Sequence, residues 1–180
     1  MIGSRPLTDT EIELVLSHLT GIRDKALFIT GLKTGFRISE LLSLKVENVI
    51  QYGQIANQIT VNRSNMKGRH SSRTVPLHPQ AKKILEEYLL TIGQYDLRTR
   101  LFPFTRRHAS RILKTAANAA ELEGKVTTHS MRKSFCDRVH KALGENIFKT
   151  QKAMGHKSLS STAHYLSFKQ DEINKAILGG

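Results

Sequence analysis

Behind Thr8 and Glu11, a capping-box pair, Ile12, Val15, Leu16 and Leu19 recur at helical spacing, so a helix is predicted to open near residue 9. Gly21 interrupts it. A second apolar helix through Ala26, Leu27, Ile29 and Leu32 runs towards Gly35, a stop signal, and a short helix is expected over 39–44. From Val49 to Leu77 the period changes. Ile55, Ile59, Thr60 and Val61 precede a polar stretch containing Gly68, and Thr74, Val75 and Leu77 follow it, which reads as a small antiparallel sheet. Pro79 opens a helix through Ile84, Leu85, Tyr88 and Leu89. Leu101, Phe102 and Pro103 read as a loop or short extended piece before a helix over 106–120. The remainder reads as helices over 130–143, 146–154, 159–165 and 169–177, divided by Gly144, by Gly155 and by a polar link. The predicted class is mainly α with a small antiparallel β-sheet (α+β).

With 180 residues, 39% of them hydrophobic, the chain suffices for one domain with a core. Residues 1–180 are therefore expected to form a single unit. No apolar run approaches the ~20 residues of a membrane span, and the start lacks a signal-peptide pattern, so a cytoplasmic, nucleoid-associated protein is expected. Cys136 is the single cysteine, which excludes an intramolecular disulfide and a cysteine-based metal cluster. Charge sharpens the picture. The formal net charge is +13, yet residues 1–50 carry six basic and six acidic groups and cancel. Residues 63–83 carry six basic groups and no acid, and residues 98–141 carry eleven against three. Two basic zones on an otherwise ordinary chain point to a polyanionic partner such as nucleic acid, and charge alone does not choose between DNA, RNA and an acidic protein.

Cleaving DNA without a metal requires a nucleophile, cations to neutralise the charge growing on phosphorus, and an acid for the leaving oxygen. Arg37 follows Gly35 at the start of a short helix, where bound phosphate is also favoured. His129 and Arg132, three apart, can project from one helical face. His156 and Tyr165 lie nine positions apart, which in one continuous helix turns ~900° and sets them on opposite faces. The chain must therefore break between them, with His156 in a loop after Gly155 and Tyr165 on a later helix. Basic neighbours and the lack of carboxylate or thiolate partners argue against zinc at these histidines. Glu40 reads as a residue that orients Arg37. Tyr52, Tyr88, Tyr95 and Cys136 read as packing or surface residues.

Three blocks in order, Gly35-Phe36-Arg37-Ile38-Ser39-Glu40-Leu41-Leu42, His129-Ser130-Met131-Arg132-Lys133-Ser134-Phe135 and Met154-Gly155-His156-Lys157-Ser158 ending in Tyr165, resemble the tyrosine recombinase and phage integrase family. The resemblance implies that Arg37 and Arg132 bind the scissile phosphate, that His129 and His156 hydrogen-bond it and help move the tyrosine proton, and that Tyr165 forms a 3′-phosphotyrosyl link. It also implies a lysine acid in a β-hairpin. Lys67 matches best, with Arg69 as second choice. No cofactor or metal is implied. The expected activity is integration, excision or inversion of DNA by several protomers on paired sites, a tetrameric synapse, with the tail over 169–178 docking on a neighbouring protomer. The N-terminal DNA-binding module that most members carry is expected to be absent, as in an excised catalytic domain or a short family member. Two rivals are weighed. A type IB topoisomerase would relax supercoils as a monomer without a preferred site. A non-catalytic DNA-binding regulator would not need the intact set Arg37, His129, Arg132, His156 and Tyr165.

Overall fold

The computed structural model describes residues 3–62 and 72–166, together with Asn174, Ile177 and Leu178. Its contacts divide into two compact units, Met1–Phe135 and Cys136–Gly180.

In the first unit, α1 (Asp9–His18) starts from a complete capping box. The Thr8 hydroxyl accepts from the Glu11 backbone N–H, and the Glu11 carboxylate accepts from the Thr8 backbone N–H. α2 (Ile22–Thr34) buries residues on all sides, including Leu27, Phe28, Ile29, Leu32 and the polar Thr30 and Thr34. Such a helix forms the centre of a core rather than its edge. Gly35 ends it with φ 61°, the left-handed conformation that glycine adopts without Cβ strain. α3 (Ile38–Leu41) is shorter than the helix predicted over 39–44.

The β region differs from the single small sheet predicted over 49–77: among the described residues it comprises two separate antiparallel pairs. Strands β1 (Ile50–Gln51) and β2 (Gln54–Ile55) are joined through Tyr52 and Gly53, both with positive φ. That geometry suits the right-handed twist of a tight hairpin. Strands β3 (Gln58–Val61) and β4 (Arg73–Pro76) pair with Ile59 opposite Val75 and Val61 opposite Arg73. Ile59, Val61, Val75 and Arg73 all point inward.

α4 (Pro79–Ile92) begins with proline in its first turn and packs on α2. Its Tyr88 hydroxyl donates to the Leu101 carbonyl at 2.9 Å, and its ring stacks on Phe102, anchoring the loop before the next helix. α5 (Arg106–Ala119) is capped by Thr105, packs against α1 and buries Ala109, Leu113, Ala116 and Ala117. α6 (Thr128–Ala142) matches the helix predicted over 130–143, and the division between the units falls within it.

In the second unit, Asn146 caps α7 (Ile147–Met154) through a bond from the Lys149 N–H, and Gly155 ends it with φ 62°. Ser158 caps α8, which covers Leu159–Ala163. The helix predicted over 159–165 thus stops short of Tyr165. There the Tyr165 N–H bonds to the Thr162 carbonyl at 2.9 Å, a three-residue step that tightens the chain out of the α-helical ladder. The predicted tail helix and the polar stretch with Lys67 and Arg69 lie outside the described residues, apart from Asn174, Ile177 and Leu178. Among the described residues no helix is long and apolar enough to cross a membrane.

Candidate active site

In the first unit, three arginines arrive from different elements. Arg37 caps α3, held by one carboxylate twice over: Glu40 accepts from the Arg37 backbone N–H and from its guanidinium, each at 2.8 Å. Glu40 is 0% exposed, so a carboxylate taken out of water is compensated by the cation beside it. Arg132, on the first turns of α6, is 1% exposed and donates from its guanidinium to the Gly35 carbonyl. The turn that ends α2 therefore positions both arginines, one by chain connection and one by hydrogen bond. A Cβ at Gly35 would overlap the Phe135 ring, which closes that turn from the α6 side.

The third arginine, Arg73, opens β4. Strand alternation places it on the inward face with Val75. Its guanidinium donates to the Thr34 carbonyl at 3.0 Å and lies over the rings of Phe36 and Phe135, 5.1 and 5.9 Å from their centroids. Burial, the positive charge of Arg132 and then that of Arg37 push Arg73 down to about 9, while Glu40 holds it up. It stays protonated at neutral pH. The signal that reveals it is the period of two itself, which puts an arginine where a core residue is expected.

His129 stands exposed at the start of α6, its backbone N–H donating to Thr127 Oγ1. Partial desolvation by its neighbours lowers its pKa, and the charges of Arg132, Arg37 and Lys133 lower it further. A histidine among cations is kept neutral and so retains a lone pair for a proton.

In the second unit, His156 follows the left-handed Gly155, outside any helix, as the nine-residue spacing requires. It is 7% exposed. Its backbone N–H reaches the Gln151 carbonyl and its own carbonyl accepts from the Gln151 side chain, both at 3.1 Å. Its Nδ1 lies 3.0 Å from Thr162 Oγ1, and its ring lies 5.0 Å from the ring of Tyr165, which is half-buried. The chemistry available is thus a cluster of arginines with a neutral histidine in one unit and a histidine packed on a tyrosine in the other. Lys67 lies outside the described residues. Among the described residues no group of three or more His, Cys, Asp or Glu is placed to hold a metal ion.

A profile of the phage integrase family matches residues 5–172. The chain belongs to the phage integrase family. Among its relatives is the probable integrase/recombinase YoeC of Bacillus subtilis, 30% identical over 165 residues, which cover 88% of this chain and 86% of YoeC. The tyrosine recombinase XerC of Halalkalibacterium halodurans is 28% identical, and the match covers 93% of this chain but 59% of XerC. The fold matches that of the XerH site-specific recombinase bound to its palindromic difH substrate, with a TM-score of 0.77, 23% identity, and coverage of 96% of this chain and 51% of XerH. This phage integrase family member therefore spans little more than half the length of the XerC and XerH relatives.

Proposed function

We propose that this chain breaks and rejoins DNA strands as a site-specific recombinase, with Tyr165 as nucleophile. The observation that carries the reading is the arginine cluster around the end of α2: Arg37 is paired with the buried Glu40, while the buried Arg73 and Arg132 are held by the carbonyls of Thr34 and Gly35, which gathers positive charge in a setting suited to an anion. Arg37 and Arg132 hold the scissile phosphate. The Tyr165 oxygen attacks phosphorus, and the bond from phosphorus to the 5′-oxygen breaks. A 3′-phosphotyrosyl link forms and the leaving oxygen takes a proton from Lys67. The phosphotyrosine keeps the energy of the phosphodiester, so the reverse attack by a 5′-hydroxyl reseals the strand without ATP. His129, held neutral by partial desolvation and neighbouring cations, receives the tyrosine proton. His156 hydrogen-bonds the phosphate.

The two units act together as one catalytic domain in this reading. Double-stranded DNA is the substrate and a synapse of several protomers, a tetramer, the working assembly in the cytoplasm, serving integration, excision or inversion. The tail over 169–178 docks on a neighbouring protomer. Deleting the residues after Phe168 is expected to abolish synapsis while leaving binding of a single site intact, as read by electrophoretic mobility; unchanged synapsis contradicts the docking.

Trapping the covalent intermediate tests the reading. Wild type and Tyr165→Phe are incubated with a nicked suicide substrate carrying a recombination site and then denatured. A protein band shifted by DNA in wild type alone is expected. DNA binding with no covalent band in either protein would instead favour a regulator.

A further inference from the structure

The second unit contains two histidine–threonine pairs whose geometry is alike and whose hydrogen bonding is not. His140 Nδ1 lies 2.9 Å from Thr150 Oγ1, and His156 Nδ1 lies 3.0 Å from Thr162 Oγ1. Both threonines are 0% exposed. A hydroxyl has one hydrogen to give and lone pairs to receive with. Thr150 gives its hydrogen to the Asn146 carbonyl, one helical turn earlier, at 2.8 Å. It can only accept from His140, so in neutral His140 the ring hydrogen sits on Nδ1.

Thr162 differs. It stands in the last turn of α8, and its hydroxyl has His156 Nδ1 as its hydrogen-bond partner among the described residues. A buried hydroxyl hydrogen left without an acceptor is costly, so it points at Nδ1. Nδ1 then accepts, and the ring hydrogen of neutral His156 sits on Nε2. We propose that Thr162 is a positioning residue that fixes His156 as its Nε2–H tautomer, turning the ring packed on Tyr165 into a hydrogen-bond donor. The donor role towards phosphate rests on the function proposed above; the tautomer does not. Donation suits an anion: an Nε2–H can bond a phosphate oxygen whose charge grows as the tyrosine attacks, whereas an Nε2 lone pair would repel it.

The full chain labelled with nitrogen-15 at histidine, observed by long-range proton–nitrogen correlation above the titration of its histidines, reports the tautomers directly. In wild type, His156 is expected to show a protonated Nε2 and a bare Nδ1, and His140 the reverse. Thr162→Val, nearly isosteric but without the hydroxyl, is expected to release His156 to a mixture of tautomers while His140 keeps its pattern. Thr162→Ser is expected to keep the wild-type pattern. On the suicide substrate, Thr162→Val is expected to slow covalent capture about ten- to a hundredfold, by analogy with the loss when the outer partner of a metal-bound histidine is removed, and Thr162→Ser to recover most of it. A hydrogen on Nδ1 of His156 in wild type overturns the proposal, and that measurement requires no variant to fold. An unchanged tautomer in Thr162→Val, or a serine variant that behaves like valine, overturns it equally. If the tautomers are as expected but wild type captures no DNA, the proposed function fails and the tautomer assignment stands.

Discussion

At the scale of single residues, Gly35 has the widest reach. Its φ of 61° ends α2, its carbonyl receives Arg132, and its lack of Cβ leaves room for Phe135. Gly35→Ala is expected to lower stability by about 1–2 kcal/mol through the left-handed backbone alone, with a further cost from displacing the Phe135 ring. Thermal unfolding measures the first effect. Covalent capture of DNA is expected to fall further than the melting shift accounts for, because the carbonyl that orients Arg132 moves with the backbone; capture that remains at wild-type rate in the folded variant would remove Gly35 from the site. Arg73 makes the complementary point about legibility. Its strand was readable from Thr74, Val75 and Leu77, and its inward direction follows from the same alternation. What the pattern lacks is Phe36 and Phe135, the two rings that make a buried guanidinium tolerable there. They come from distant parts of the chain.

At the scale of elements, local signals were legible and pairing was not. Thr8 with Glu11, Pro79, Asn146 and the glycines at 35 and 155 mark helix ends in the structure because caps act within a few residues. The two separate hairpins were read as one sheet because strand partners are chosen by non-local packing, which periodicity does not encode. The break between His156 and Tyr165 was legible from their spacing, but the end of the later helix was not: α8 stops at Ala163, where the hydrogen bonds tighten, so Tyr165 falls just past it. α1 shows how one cap serves more than its own helix. Glu11 completes the capping box and also pairs with Arg5 at 2.5 Å, while Arg5 donates to the Glu123 carbonyl at 2.8 Å. The Arg5 hydrogen bond, aided by the Thr8 backbone, holds Glu11 down to about 2 from its ordinary 4.5. A carboxylate with a depressed folded pKa contributes stability above its unfolded pKa and loses it as pH falls through the folded value. Glu11→Gln is therefore expected to cost on the order of 2 kcal/mol at neutral pH, after allowance for partial solvent screening. The gap from wild type should close between pH 4.5 and about 2, as followed by denaturant titration across that window. A gap independent of pH would show that the pair contributes packing rather than charge.

At the scale of the whole molecule, the balance of charge separates scaffold from contact surface. Residues 1–50 carry six bases and six acids, whereas α5 exposes Arg106, Arg107, Arg111 and Lys114 and carries no acid. Two of these arginines stand in the first turn, where the helix dipole disfavours positive charge. Folding alone does not favour such a placement, and a local rule broken without structural gain points to function. The inner face of α5 is occupied with α1, so its outer face is the part left to meet a polyanion. If that polyanion is duplex DNA, each phosphate neutralised contributes about 0.9 to the slope of log affinity against log salt. The double variant Arg106→Ala with Arg111→Ala is expected to reduce the slope by about 2 if both side chains reach phosphates, with a stability change within about 0.5 kcal/mol because both are surface residues. Lys25→Ala, from the charge-balanced segment, is expected to leave the slope unchanged. Binding titrations at several salt concentrations separate these cases: equal slopes for wild type and the double variant would exclude α5 from the DNA contact and shift that contact to the basic zone over 63–83.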